Sequence, residues 1–303
     1  MSRTAKQIID ETHGLLQSFA LDESQSTTLA SDITSGALTF NVTSTRGVAT
    51  GISPGVIEMD QELMYCDSVA ADGTATVPAW GRGYLGTTPA AHTGGTRVIS
   101  QPIFPRAWTL QAINETIDRV FPEVFVVKSF ESTTTVPKIT YDLPSDAEWV
   151  LRAAWQEPGP MNYWRTVRRL RMSPGGGTQL GDTNRSADVG DRVYPGRPIQ
   201  FLYAAKPQRL VNESDVFETV TGLGSGMTDV ITFGAASGLL TISQELSRLQ
   251  MSSVEQQNRS QLVAPSAALT SSRLLDQKFQ QRLAEERLSL RRLYPPRIQG
   301  VWA

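Results

Sequence analysis

Leu38-Thr-Phe-Asn-Val-Thr43 alternates apolar with polar residues, setting Leu38, Phe40 and Val42 against Thr39, Asn41 and Thr43. A period of two marks a strand with one buried face. The surrounding residues 27–100 keep the same Thr-, Val- and Gly-rich character. Residues 56–59, 62–67, 75–77 and 96–99 are further short strand candidates, punctuated by Ser53-Pro-Gly55, Ala71-Asp-Gly73 and Thr93-Gly-Gly95. Short strands with turn signals at this spacing predict a small antiparallel barrel or sandwich.

Helical periodicity flanks this region. Residues 3–19 carry an apolar stripe of Ile8, Ile9, Leu15, Leu16 and Phe19, with Ser2 or Thr4 placed to cap it. Such a short helix needs something to pack on. Pro105 opens a second helix through Leu110, Ile113, Ile117, Val120 and Phe121, and Pro122 ends it. Residues 124–210 return to strands, the best at 149–155, 164–172 and 199–204, separated by Glu157-Pro-Gly-Pro160 and Gly175-Gly-Gly177. A strand at 163–172 puts Trp164, Thr166, Arg168, Leu170 and Met172 on one face. Its other face is a basic row of Tyr163, Arg165, Val167, Arg169 and Arg171.

From residue 236 the chain turns helical, with Leu239, Ile242, Leu246 and Leu249 in one stripe. Pro265 starts another helix through Leu275, Phe279, Leu283, Leu290 and Leu293, stopped by Pro295-Pro296. Two helices with a short polar link form an αα-hairpin. No repeat of solenoid type is present. The expected class is α+β, with helices near both termini carrying two antiparallel β-rich modules. The segments are an N-terminal helix (1–26), a small β-module (27–104), a helix (105–122), a second β-rich module (123–234), the helical hairpin (235–296) and an extended tail (297–303) exposing Trp302.

Composition narrows the chemistry. The 303 residues include one cysteine, Cys66, and two histidines, His13 and His92. No disulfide forms within the chain, and a Cys/His zinc site, which takes four ligands, is excluded. No apolar run approaches the roughly 20 residues of a membrane span, and the N-terminus lacks an apolar signal core, so a soluble, non-secreted chain without a membrane partner is expected. The net charge of −2 hides an asymmetry. Residues 1–70 balance to −6, residues 152–209 to +6 and residues 273–297 to +4. Opposite charges at separate places attract copies of the chain or a charged partner, or line a passage.

An enzyme needs a nucleophile, base or metal placed by a scaffold. His13, at a helix edge, and His92, in a turn-rich segment, read as satisfied polar residues. Cys66 reads as a small buried hydrophobe. Gly222-Leu-Gly-Ser-Gly226 lacks the setting of a dinucleotide fingerprint, because Asp229-Val-Ile-Thr-Phe233 reads as strand where a helix is required. Glu58, Asp60 and Glu62 alternate on a strand and so share one face, either a solvated acidic face or a divalent-cation or glycosidase-type carboxylate set. The Asn41-Val-Thr43 sequon has no meaning without secretion. No cofactor is expected. Tyr163 and Trp164 interleaved with Arg165, Arg168, Arg169 and Arg171 suit stacking plus phosphate contact, yet a pI of 5.8 argues against a dedicated nucleic-acid binder.

A resemblance joins these observations. Gly55-Val-Ile-Glu-Met-Asp60 leads into Glu62-Leu-Met-Tyr65, then Trp80-Gly-Arg-Gly-Tyr-Leu-Gly-Thr-Thr88, Ala90-Ala-His92 and Gly95-Thr-Arg-Val98. This resembles a small β-module of tailed-bacteriophage virion proteins, in which an I-x-G/D-x-E-x-x-x-Y strand precedes RG-x-x-GT-x-x-x-x-H-x-x-G-x-x-V. Gly81, Gly83 and Gly86 would permit its tight turns, with Tyr84 and Leu85 plugging the barrel. Residues 281–297 look like the closing helix of phage head-to-tail connector (adaptor) proteins, and Tyr194–Tyr203 is similar to a strand region of that group. Simple adaptors are short and mainly helical, whereas this chain is rich in strands.

The resemblance implies a non-enzymatic virion subunit, made in the host cytoplasm and placed at the head–tail junction. There it would form a dodecameric ring with itself, bind the portal and a further neck or tail protein, and touch DNA in passing. Arg287, Arg291, Arg292, Tyr294, Arg297 and Trp302 would meet the portal or a neighbour. Arg165, Arg168, Arg169 and Arg171 would face another subunit or DNA. A minor tail or tail-tip protein and a wall hydrolase using Glu58 and Glu62 are the alternatives.

Overall fold

A computed structural model describes residues 2–16, 25–45, 55–133, 139–159, 163–174, 185–191, 193–250 and 267–295. The chain divides into two units, one of residues 4–116 and 229–279, the other of residues 1–3, 117–228 and 280–303.

Helix α1 (Ala5–Leu16) starts with a reciprocal cap. The Gln7 N–H donates to Thr4 Oγ1 at 3.4 Å, and the Thr4 N–H donates to Gln7 Oε1 at 3.0 Å. Two otherwise orphaned donors are thus satisfied. Ile8, Ile9 and Leu16 are buried, whereas Leu15 is exposed. Seven short strands follow: β1 (Gln25–Thr28), β2 (Thr39–Asn41), β3 (Gly55–Met59), β4 (Glu62–Cys66), β5 (Ser68–Val69), β6 (Thr74–Thr76) and β7 (Arg97–Ser100). They form two antiparallel sheets, ordered β1-β7-β3-β4 and β2-β6-β5.

The sheets join at both ends. Leu29 pairs with Val42 beside β1 and β2, and the Asp67 N–H donates to the Thr76 carbonyl at 2.9 Å where β4 runs on into β5. The ladder closes into a small barrel, one of the two forms, barrel or sandwich, expected from the alternation, with Leu29, Phe40, Val42, Ile57, Met64 and Val98 in its core. Leu38 precedes the paired residues of β2 and stays 40% exposed. Helix α2 (Arg106–Val120) follows, burying Ile113, Ile117 and Val120 as its periodicity requires.

The other unit holds β8 (Val126–Thr133), β9 (Thr140–Asp142), β10 (Ala147–Gln156), β11 (Trp164–Thr166), β12 (Leu170–Pro174), β13 (Arg185–Val189) and β14 (Pro198–Ala205). Its antiparallel sheets, β11-β10-β14-β8 and β12-β13-β9, enclose one core containing Tyr141, Trp155, Val167, Val189, Ile199 and Phe201. The expected continuous strand over 164–172 is instead two strands in different sheets. Val167, fully buried, still donates to the Ala153 carbonyl of the first sheet, while the Arg169 carbonyl already accepts from Gly190 beside the second. Burying Val167 between the layers forces the bend, so the basic row is split.

Helix α3 (Phe217–Thr221) ends at Gly222, whose φ of 74° suits a residue without a Cβ. Helices α4 (Met227–Gln250) and α5 (Ala267–Leu293) follow. Asp229–Phe233, expected as strand, lies inside α4, so the terminal helices begin at Met227 and not at residue 235. Met227, Val230, Ile231 and Ala235 recur at helical spacing and are all buried. Tertiary packing overrides the β-branched Val-Ile-Thr run. The two helices run antiparallel in contact: Ser272 Oγ bonds Thr241 Oγ1 at 2.9 Å, and Lys278 Nζ stands over the Phe233 ring at 5.6 Å. Leu275, Phe279 and Leu283 are buried, but Leu293 is 71% exposed. Phe19, Ser53-Pro54, the Gly175–Gly177 loop, the side chains of Ile242, Leu246 and Leu249, and residues 297–303 with Arg297 and Trp302 lie outside the described residues.

Candidate functional site

The acidic trio sits on a hairpin and not on one strand. Met59 pairs with Glu62 across a two-residue turn, Asp60-Gln61, whose first residue takes φ 50° as hairpin turns of the primed types require. Cross-strand partners share a face. Glu62 therefore lies with Met59, and Glu58, paired with Leu63, lies on the opposite face. Counting by twos fails across the turn, and the shared acidic face fails with it. Neither glutamate is solvated: each is 1% exposed.

Glu58 turns to helix α2, where its carboxylate accepts the N–H of Arg106, the first helical residue. A carboxylate there satisfies an orphaned donor and complements the helix dipole. Arg106 in turn reaches Asp10 of α1 at 2.7 Å, and His13 bonds Thr109 at 2.9 Å, the satisfied role expected of that histidine.

Glu62 turns to a ring of donors. Arg82 grips it through Nε at 2.7 Å and Nη2 at 2.9 Å, and the Gly83 and Ala90 N–H groups donate to it at 3.1 and 2.9 Å. His92 Nε2 lies 3.0 Å from the same carboxylate, and His92 Nδ1 lies 2.8 Å from Asp60. The remaining Arg82 N–H groups donate to the carbonyls of Thr34, Ala37 and Ala90. All five guanidinium donors are engaged. Two carboxylates, one guanidinium and one imidazolium balance to zero charge.

Burial opposes charge on both Glu62 and His92, but the bonds outweigh it. Arg82 and His92 hold the Glu62 carboxyl down at about 2, and Asp60 and Glu62 lift the His92 imidazolium to about 9. The hydrogen bond from His92 likewise lowers Asp60. Arg82 and the convergence on His92 are absent from the site residues expected from sequence. The signal was the spacing of Glu62, the RG-x-x-GT segment and His92.

The network clamps the loop above it. Gly81 sits where an added Cβ would stand 2.6 Å from the Tyr65 carbonyl. Gly83 and Gly86 take φ values of 62° and 83°, and Leu85 between them takes 55°. Tyr84 and Leu85 do not plug the barrel: Tyr84 is half-buried and Leu85 is 56% exposed. The core is already filled by strand side chains, and the loop turns outward. Tyr65, Trp80 and Tyr84 form one aromatic cluster with ring centroids 4.8–6.3 Å apart, and Trp80 is 63% exposed.

The basic residues are exposed but dispersed. Arg165 on β11 pairs with Glu157 at 3.1 Å; Arg168 and Arg169 occupy the bend, where the Arg168 N–H donates to Asp191; Arg171 lies on β12. On α5, Arg287 pairs with Glu123 at 2.9 Å, Arg291 and Arg292 are exposed, and Tyr294 is half-buried. A helix does follow Gly222–Gly226, yet α3 stands where the fingerprint needs a strand, and the Glu286 carboxylate lies against Gly226 at the start of α4. Cys66 is buried, with burial pushing its thiol upward. Among the described residues no acidic, His or Cys cluster is arranged to hold a metal, and no helix is long and apolar enough to cross a membrane. Compared with models of known protein families and with curated proteins, the chain matches none.

Proposed function

We propose that this chain is a structural subunit of a tailed-bacteriophage virion, an adaptor that joins portal to tail as a ring around the passing genome. The observation that carries the reading is the closed Glu62–Arg82–His92 network. Glu62, Arg82 and His92, the charged residues at the centre of the segment that resembles a virion β-module, are spent on one another and on backbone groups. Such a module serves as a rigid support for what its loop presents. The charge segregation along the chain and the outward Leu288 and Leu293 beside Arg291 and Arg292 add support, since apolar anchors flanked by arginine suit a protein interface.

In this reading the end of α5 and residues 297–303, with Trp302 as an aromatic anchor, engage the portal. The arginines of 165–171 face a neighbouring subunit. Passing DNA calls for weak, sequence-independent contact, which the modest pI accommodates. Deleting residues 297–303 is expected to give DNA-leaking, tailless capsids by electron microscopy. Normal tailed, filled particles from that deletion would refute the docking.

A further inference from the structure

The loop over the Glu62–Arg82–His92 network exposes an apolar surface at a conformational cost. Leu85 adopts a left-handed backbone that L side chains rarely take, yet it stays 56% exposed. Beside it stand Tyr84 and the exposed Trp80. Across residues 77–91 the sole charge is Arg82, and it turns inward, with its side chain 5% exposed. A rigid, charge-free aromatic surface has the composition of an interface centre. The exposed charge of the module is mainly acidic: among described residues 25–105 it comprises Asp32, Asp60, Asp67 and Asp72, against Arg97.

The other unit carries a complementary surface. Residues 163–171 expose Tyr163, Trp164, Arg165, Arg168, Arg169 and Arg171 with no acid among them. Both strands that contribute, β11 and β12, lie at the edges of their sheets. We propose that the Trp80–Leu85 loop of one copy docks on the 163–171 segment of a second copy, an arginine- and aromatic-rich surface of opposite charge to the acidic module that carries the loop. Because the two surfaces differ, the contact is heterologous and propagates from copy to copy. The proposal rests on the ring reading and supplies its subunit contact.

Sedimentation velocity on the purified full chain tests it without particles. The wild type is expected to associate with concentration, and more weakly as salt rises. Leu85→Gly should weaken association about tenfold or more, as loss of a central anchor does, while keeping or raising the melting temperature, because glycine adopts this backbone freely. Trp80→Ser, and Arg168→Glu with Arg169→Glu, should weaken association in the same way. Mixing the Leu85→Gly chain with the double-arginine variant should restore a one-to-one dimer that grows no further, each chain retaining the surface the other lacks. A wild type that stays monomeric would overturn the proposal and leave a different protein as the partner of the loop. So would variants that associate like the wild type, or a mixture that stays monomeric. Subunits still found at the head–tail junction would then preserve the virion reading while refuting this contact.

Discussion

Arg82 and Glu62 stand 20 residues apart in sequence and close a network with side chains almost fully withdrawn from solvent. Removing one partner of a buried pair leaves the other charge uncompensated, so Arg82→Ala is expected to cost about 3–5 kcal/mol, measured by calorimetric or urea unfolding. The same network sets a pH window. Glu62 is held at about 2, below its unfolded value, so its contribution is present above about pH 4.5 and fades as pH falls toward 2. His92 is lifted to about 9, so its contribution is complete below about pH 6.5 and fades as pH rises through 9. Unfolding free energy should therefore plateau between about pH 4.5 and 6.5, and His92→Gln should remove the alkaline decline specifically. In the sequence His92 and Cys66 were legible as structural residues, since neither had a catalytic setting. The roles of Glu58 and Asp60 were not: a two-residue turn inverts which face each acid takes, and periodicity carries no trace of it.

At the scale of elements, local chemistry predicts well wherever it agrees with packing. Thr4, one of the two caps expected, caps α1 together with Gln7, and Thr4→Ala should cost about 1 kcal/mol, read from thermal unfolding. Gly81 permits a close approach to the Tyr65 carbonyl, so Gly81→Ala should cost about 1–3 kcal/mol by overpacking and leave more exposed amides in β4 by hydrogen exchange. Two elements escaped the sequence reading for physical reasons. Val230, Ile231 and Thr232 have strand propensity but are buried within α4, where tertiary contact decides. Residues 164–172 alternate as one strand would, but burial of Val167 between two sheets bends the chain there. The small antiparallel β-module, though not the choice of barrel over sandwich, was legible because alternation, turn residues and strand length agreed with one another.

The whole molecule is α+β, as composition and periodicity indicated, with antiparallel sheets in both units and helices toward both ends of the chain. Charge is segregated along it: an acidic N-terminal region, a basic stretch in the second β-rich unit and a basic α5. Such segregation makes association sensitive to ionic strength. The proposed virion role makes a demand that no single residue tests: many copies must occupy one place in a particle. Cryo-electron microscopy of purified particles assembled in the presence of this chain's gene addresses it directly. The account predicts a ring of density at the head–tail junction into which both units fit, with the end of α5 against the portal. Particles complete at that junction but lacking the chain, or purified chain that degrades wall polymer and loses that activity in Glu58→Gln or Glu62→Gln, would contradict it.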